Sequence, residues 1–146
     1  MDDLAIMKDL LQYAEEHGGC LRRKIACFIM ADDGERIGRG WNGPPGIRCQ
    51  DKPCPGASVP AGEGAYREVE CHGVHAEVRA LMDASLYADE AHSIFCTKAP
   101  CQRCAKMLLH ATPDTARLVF AVWPNDKSGL EAWSDAGREY KCIGDA

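Results

Sequence analysis

No apolar run in this 146-residue chain approaches the length that crosses a bilayer. The N-terminus, Met1-Asp2-Asp3-Leu4, lacks the basic region and apolar stretch of a secretory signal. Both absences point to a soluble protein of the cytoplasm with no membrane partner. No internal repeat or low-complexity tract interrupts the chain, and its length suits one compact domain over residues 1–146. Basic residues are in the minority, 17 Lys and Arg against 22 Asp and Glu, for a net charge of −5. Long nucleic acids are bound largely by cations that neutralise phosphate, so an acidic domain is a poor candidate for them. A single nucleotide is within reach, because the run Arg22-Arg23-Lys24 can hold one phosphate.

Cysteine, by contrast, is plentiful: nine in 146 residues. An odd count without a secretory signal argues against a disulfide framework. The spacings are those of metal sites. Cys101-x-x-Cys104 is one pair, and Cys49-x4-Cys54 lies in a Gly-, Pro- and Cys-rich loop over residues 46–72. A loop that long needs something to order it. Four thiolates from Cys20, Cys49, Cys54 and Cys71 suit a closed structural zinc site, with His72 as a competing ligand. Cys27, Cys96 and Cys142 sit in apolar or strand-like runs and read as small buried side chains.

The remaining pattern alternates strands and helices. Residues 2–17 carry Leu4, Met7, Leu10, Leu11 and Ala14 at helical spacing, with Asp2 or Asp3 as cap and Gly18-Gly19 as stop. Residues 25–31 and 36–41 form a hairpin about Asp32-Asp33-Gly34. A helix over 73–88 places Val74, Val78, Leu81, Met82 and Leu86 on one face. Strands at 93–97, 118–123 and 140–143 alternate with helices that begin near Pro100 and Ser128, the last capped by Ser128 or Asp126. This order predicts an α/β fold of three layers, a single mixed five-stranded sheet with helices on both faces.

Two short motifs carry the chemistry. His75-Ala76-Glu77 and Pro100-Cys101-Gln102-Arg103-Cys104 each fall at the N-terminal end of a predicted helix, with a strand between them. One imidazole and two thiolates make three ligands for zinc. The fourth tetrahedral position stays open, where a water can be acidified to near neutral pH. Glu77 lies two residues past the histidine, close to the metal without binding it. A purely structural zinc site has no use for such a residue, which also disfavours an inactive zinc-binding module. Glu77 can take the proton from water that attacks an amidine-like carbon, such as C4 of cytosine. It then returns protons to the ring nitrogen and the leaving amine. His-x-Glu with Pro-Cys-x-x-Cys is the signature of zinc deaminases of nucleobases.

Over most of residues 20–125 the chain resembles the cytidine deaminase superfamily, and within it the deoxycytidylate (dCMP) deaminase group. The matching stretches are Cys20-Leu21-Arg22-Arg23-Lys24-Ile25-Ala26, Gly40-Trp41-Asn42-Gly43, the Cys49–Cys54 loop, His75-Ala76-Glu77 and Pro100 to Cys104. The resemblance implies a catalytic zinc on His75, Cys101 and Cys104, and Glu77 as proton shuttle. It implies substrate contact by Asn42, which spacing alone reads as a turn residue, and by the backbone of Ala76. It also implies a second, structural zinc and a homo-oligomer. Arg22, Lys24, Lys98 and Trp123 are further candidate substrate contacts. Trp41 stands where the family usually has Tyr, and Cys71 lies one residue closer to His75 than in the bacterial pattern. The expected reaction is hydrolytic deamination of a cytosine nucleotide, dCMP to dUMP with release of ammonia. A modified or free cytosine, or another aminated heterocycle, is the alternative substrate. A tRNA or single-stranded DNA deaminase fits the acidic charge less well.

Overall fold

The computed structural model describes residues 2–19, 23–43 and 74–144. Cys20, Arg22, Cys49, Cys54, Cys71 and His72 lie outside these, as does the 46–72 loop, so the second zinc site falls outside the described residues. Helix α1 (Asp3–His17) precedes a hairpin of β1 (Ala26–Ala31) and β2 (Arg36–Trp41). Helix α2 (Ala76–Ala84), β3 (Ala91–Lys98), α3 (Gln102–Ala111), β4 (Arg117–Val122), α4 (Ser128–Asp135) and β5 (Tyr140–Cys142) follow. The five strands form one mixed sheet in the order β2-β1-β3-β4-β5. Its β2–β1 and β1–β3 pairs are antiparallel, and its β3–β4 and β4–β5 pairs are parallel.

Strand alternation divides the core between two faces. Phe28 and Met30 of β1, Phe95 of β3 and Val119 of β4 pack against Met7, Leu10 and Ala14 of α1. Cys27, Ile29, Ile94, Cys96, Leu118 and Phe120 point the other way, onto α2, α3 and α4. The three-layer arrangement expected from the sequence is therefore present. Among the described residues, no helix is long and apolar enough to cross a membrane.

Helix α2 departs from the sequence expectation. It ends at Ala84, and a 3-10 turn (Ser85–Glu90) continues from Ser85, whose φ is 51°. Its buried face is Ala76, Glu77, Ala80 and Ala84, whereas Met82 and Leu86 are 73% and 88% exposed. The reason lies in β2. A Cβ on Gly40 would collide with the carbonyl oxygen of Ala76, and one on Gly38 with that of Ala80. Two glycines facing three alanines let the helix lie directly on the strand. The face is thus set by small residues, and the larger apolar ones turn outward. This close seat fixes the N-terminal end of α2, where the candidate ligand lies.

The N-terminus of α1 is tied to the far half of the sheet. Asp2 caps the helix by accepting from the Ala5 N–H. Asp3 instead accepts two hydrogen bonds from Arg117 at 2.6 Å each and one from Lys141 at 2.9 Å. The Arg117 guanidinium, with Lys141, lowers the Asp3 carboxyl from 3.8 to about 2 despite partial burial. A carboxylate held below its unfolded value stabilises the fold above that value and loses its contribution as pH falls through the folded one. Between pH 4 and 2 the chain should therefore lose about 2 kcal/mol through this group. Acid titration of denaturant midpoints should show that loss in the wild type and a smaller one in Asp3→Asn. An equal acid loss in both proteins would remove Asp3 from the account.

Candidate metal centre and its surroundings

His75 is the N-cap of α2, and Cys101 is the N-cap of α3. Neither side chain makes the capping bond its position offers, and both turn to the same point. Cys104 follows one helical turn into α3, so its sulfur lies on the same side as that of Cys101. The Nδ1 atom of His75 is 3.2 Å from the Cys104 sulfur and 3.7 Å from the Cys101 sulfur. One ligand atom from each of the three residues lies within 4.8 Å of the others, the only such cluster of possible ligands among the described residues. A tetrahedral zinc with Zn–S of about 2.3 Å and Zn–N of about 2.0 Å sets nitrogen and sulfur about 3.5 Å apart. The two nitrogen–sulfur separations, 3.2 and 3.7 Å, bracket that value.

The two thiols are inequivalent. Cys101 is exposed and Cys104 is buried. The hydrogen bond between them pulls the Cys101 thiol down and pushes Cys104 up, and burial adds to the rise at Cys104. Cys101 therefore ionises first. Its backbone is backed by α4, where a Cβ on Gly129 would sit 3.0 Å from the Cys101 carbonyl carbon. Any larger residue at 129 would push on the loop that presents the exposed sulfur.

Glu77 is 4% exposed on the buried side of α2. Burial pushes its carboxyl up, and the neighbouring His75 opposes that rise. A hydrogen bond joins its carboxyl to the Cys104 thiol. A carboxyl placed beside a ligand set, outside it, and biased towards holding a proton is suited to moving one. Ala76, between the two, is 1% exposed.

The other predicted contacts spread around the end of the sheet. Asn42 follows β2 and uses its amide on the chain itself. Its Oδ1 accepts from the Ile25 N–H at 2.9 Å, and its Nδ2 donates to the Arg23 carbonyl at 3.0 Å. Those bonds hold the start of β1, where an open cleft is lined by Arg23, Lys24, Thr97, Lys98, Val122 and Asn125. Lys24 also pairs with Glu15 at 3.5 Å. The Lys98 ammonium is lowered by partial burial and by the nearby charge of Arg23. Trp123 does not line the cleft. It is half-exposed, with its ring edge-on to Phe120 at 5.0 Å and to Tyr140 at 6.3 Å. Asn125 is a cleft residue that the sequence reading missed. Its position just beyond β4, in a Pro-Asn-Asp turn, was the signal available.

Comparison with known proteins adds the following. The family model described as the cytidine and deoxycytidylate deaminase zinc-binding region matches residues 1–122. None of the curated proteins compared with the chain matches it in sequence. Among solved structures, the dCMP deaminase of the cyanophage S-TIM5 in complex with dCMP and dUMP is similar, with a TM-score of 0.70 and 21% identity. That match covers 98% of this chain and 99% of the other. The Rib2 deaminase of Aspergillus oryzae follows at 0.59 and 12% identity, over 97% of this chain and 84% of the other. A mutant of NE0047 in complex with 8-azaguanine matches at 0.55 and 16% identity, over 93% and 74%. These likenesses share the fold with this chain.

Proposed function

Because this chain belongs to the cytidine and deoxycytidylate deaminase zinc-binding family, we propose that it hydrolytically deaminates a cytosine nucleotide, converting dCMP to dUMP and ammonia. The observation that carries the reading is Glu77, buried against His75, Cys101 and Cys104 yet outside the ligand set. His75, Cys101 and Cys104 would hold one zinc. A zinc bound there supplies Lewis acidity that brings the pKa of a water close to neutral. Glu77 accepts the proton of the attacking water at its carboxylate and passes it to N3 of the ring. Glu77 then takes the second proton from the new C4 hydroxyl and gives it to the amine, so the C4–N bond breaks, ammonia leaves and C4 keeps the oxygen as a carbonyl. The peptide of Ala76 contacts the base, and Asn42 lines the sugar side while its remaining bonds hold the cleft wall. A second, closed zinc site from Cys20, Cys49, Cys54 and either Cys71 or His72 belongs to the proposal, as does assembly into a homo-oligomer.

The phosphate reading rests on charge. Arg23, Lys24 and Lys98 line one cleft, and no carboxylate is among its lining residues. Burial, and then the charge of Arg23, already lower the Lys98 ammonium, and a phosphate dianion between Lys98 and Arg23 would relieve that repulsion. Lys98→Ala should therefore raise KM for dCMP about tenfold and narrow the gap between dCMP and deoxycytidine. Equal losses on both substrates would take Lys98 out of phosphate recognition.

The deciding experiment is an ammonia-release panel of cytosine, cytidine, deoxycytidine, CMP, dCMP, adenine and guanine compounds. Preference for dCMP supports the proposal. Preference for a free base or a purine moves the chain to the alternative, an aminated heterocycle. A salt-sensitive shift with oligonucleotides would favour a polynucleotide substrate.

A further inference from the structure

One side chain on the metal-site helix reaches the loop that Asn42 ties to the cleft, and it has no place in the chemistry above. Arg79 lies one turn after His75, with its N–H bonded to the His75 carbonyl at 3.3 Å. Its guanidinium donates to the Trp41 carbonyl at 2.8 Å and to the Gly43 carbonyl at 3.1 Å, on either side of Asn42. The same group lies 5.0 Å from the centre of the Trp41 ring. On its other side Trp41 meets His17 at 6.0 Å and Tyr13 at 6.4 Å, so the indole is held between α2 and α1.

The loop so held is closed by further bonds. Gly43 and Val74 exchange backbone hydrogen bonds at 3.2 and 2.7 Å, which joins the loop to the residue before His75. The Asn42 N–H donates to the Ile25 carbonyl at 3.0 Å, and its carbonyl accepts from Gly19 at 2.8 Å. Asn42 also grips the Arg23 carbonyl and the Ile25 N–H through its side chain. A path of charge-assisted and neutral hydrogen bonds, joined through the backbone of residues 41–43, thus runs from the helix of His75 and Glu77, through Arg79, to the backbone of Arg23 in the cleft.

We propose that Arg79 is a positioning residue that sets the distance and angle between the catalytic helix and the Asn42–Arg23 wall, and so tunes nucleotide binding without touching substrate. The inference rests on the functional reading above for its kinetic form. Its structural form, the latching of residues 41–43, does not.

Two planar N–H groups span two carbonyls. A lysine at the position can reach one of them and keeps the charge. Arg79→Met should leave zinc content unchanged, keep kcat within about twofold and raise KM for dCMP about tenfold, with Arg79→Lys in between. Amide exchange supplies a readout that needs no substrate. In zinc-loaded Arg79→Met the N–H groups of Ile25, Asn42 and Gly43 should exchange at least about tenfold faster, while those of Phe95 and Val119 in the core stay protected. A merely structural residue would lower protection everywhere and move kcat and KM together. Unchanged exchange at the three amides in the folded, zinc-loaded variant overturns the latch, whatever the substrate. If the wild-type chain releases no ammonia from any cytosine compound, the functional reading falls, and the exchange result alone decides the role of Arg79.

Discussion

Glu77→Ala should keep the zinc of the wild type and release ammonia about a thousandfold more slowly. The two halves of that expectation come from different observations. Zinc is kept because the ligand atoms are Nδ1 of His75 and the two sulfurs, already placed at zinc-like separations without the carboxylate. Turnover is lost because Glu77, beside that cluster, is the one buried carboxylic acid among the described residues. The substitution removes a desolvated acid, so the fold should tolerate it; burial disfavours the ionised carboxylate in the first place. Glu77→Gln offers the same shape without an exchangeable carboxyl proton and should be as slow. Zinc and ammonia measured on the same preparations separate the outcomes. Loss of zinc in both variants would make Glu77 a ligand, and surviving ammonia release would give the proton transfer to another group.

Cys104→Ala acts on the other half of the site. Its sulfur is buried 3.2 Å from His75 Nδ1, and no second ligand atom on α3 replaces it besides the exposed Cys101. Two remaining ligands do not hold zinc at protein concentrations. The variant should carry one zinc fewer per chain than the wild type and should show no detectable ammonia release. With the second site intact this is a fall from two to one, and without it from one to none. The wild type should also gain thermal stability from zinc at this site, through binding to the folded form alone, and the variant should lose that share. Equal zinc content in the two proteins would contradict the ligand assignment and leave the His75–Cys101–Cys104 geometry without a role.

The parts of this account that were legible in the sequence are those set by local spacing. His-x-Glu and Cys-x-x-Cys place their side chains through a turn of helix, so their convergence needed only two helix starts and a strand between them. The alternation of helix and strand likewise announced the sheet and its two covered faces. What failed to show was set by contacts distant in sequence. The outward turn of Met82 and Leu86 follows from Gly38 and Gly40, about forty residues earlier, which bring Ala76, Ala80 and Ala84 onto the strand. Arg79 gave no signal, because its partners Trp41 and Gly43 reach it only after β2 folds back on α2. Asn42 was ambiguous for the same reason. Its two side-chain bonds go to residues 23 and 25, which lie just before β1 and are distant in the chain.

The central claim is that this site replaces an exocyclic amine with an oxygen from water. Turnover of dCMP in oxygen-18-labelled water tests it most directly, with ammonia counted and the product weighed. The expected product is dUMP carrying one labelled oxygen for every ammonia released, in the zinc-loaded wild type and not in Glu77→Ala. Product without label, or a zinc-loaded wild type that releases no ammonia from any cytosine compound, would contradict it.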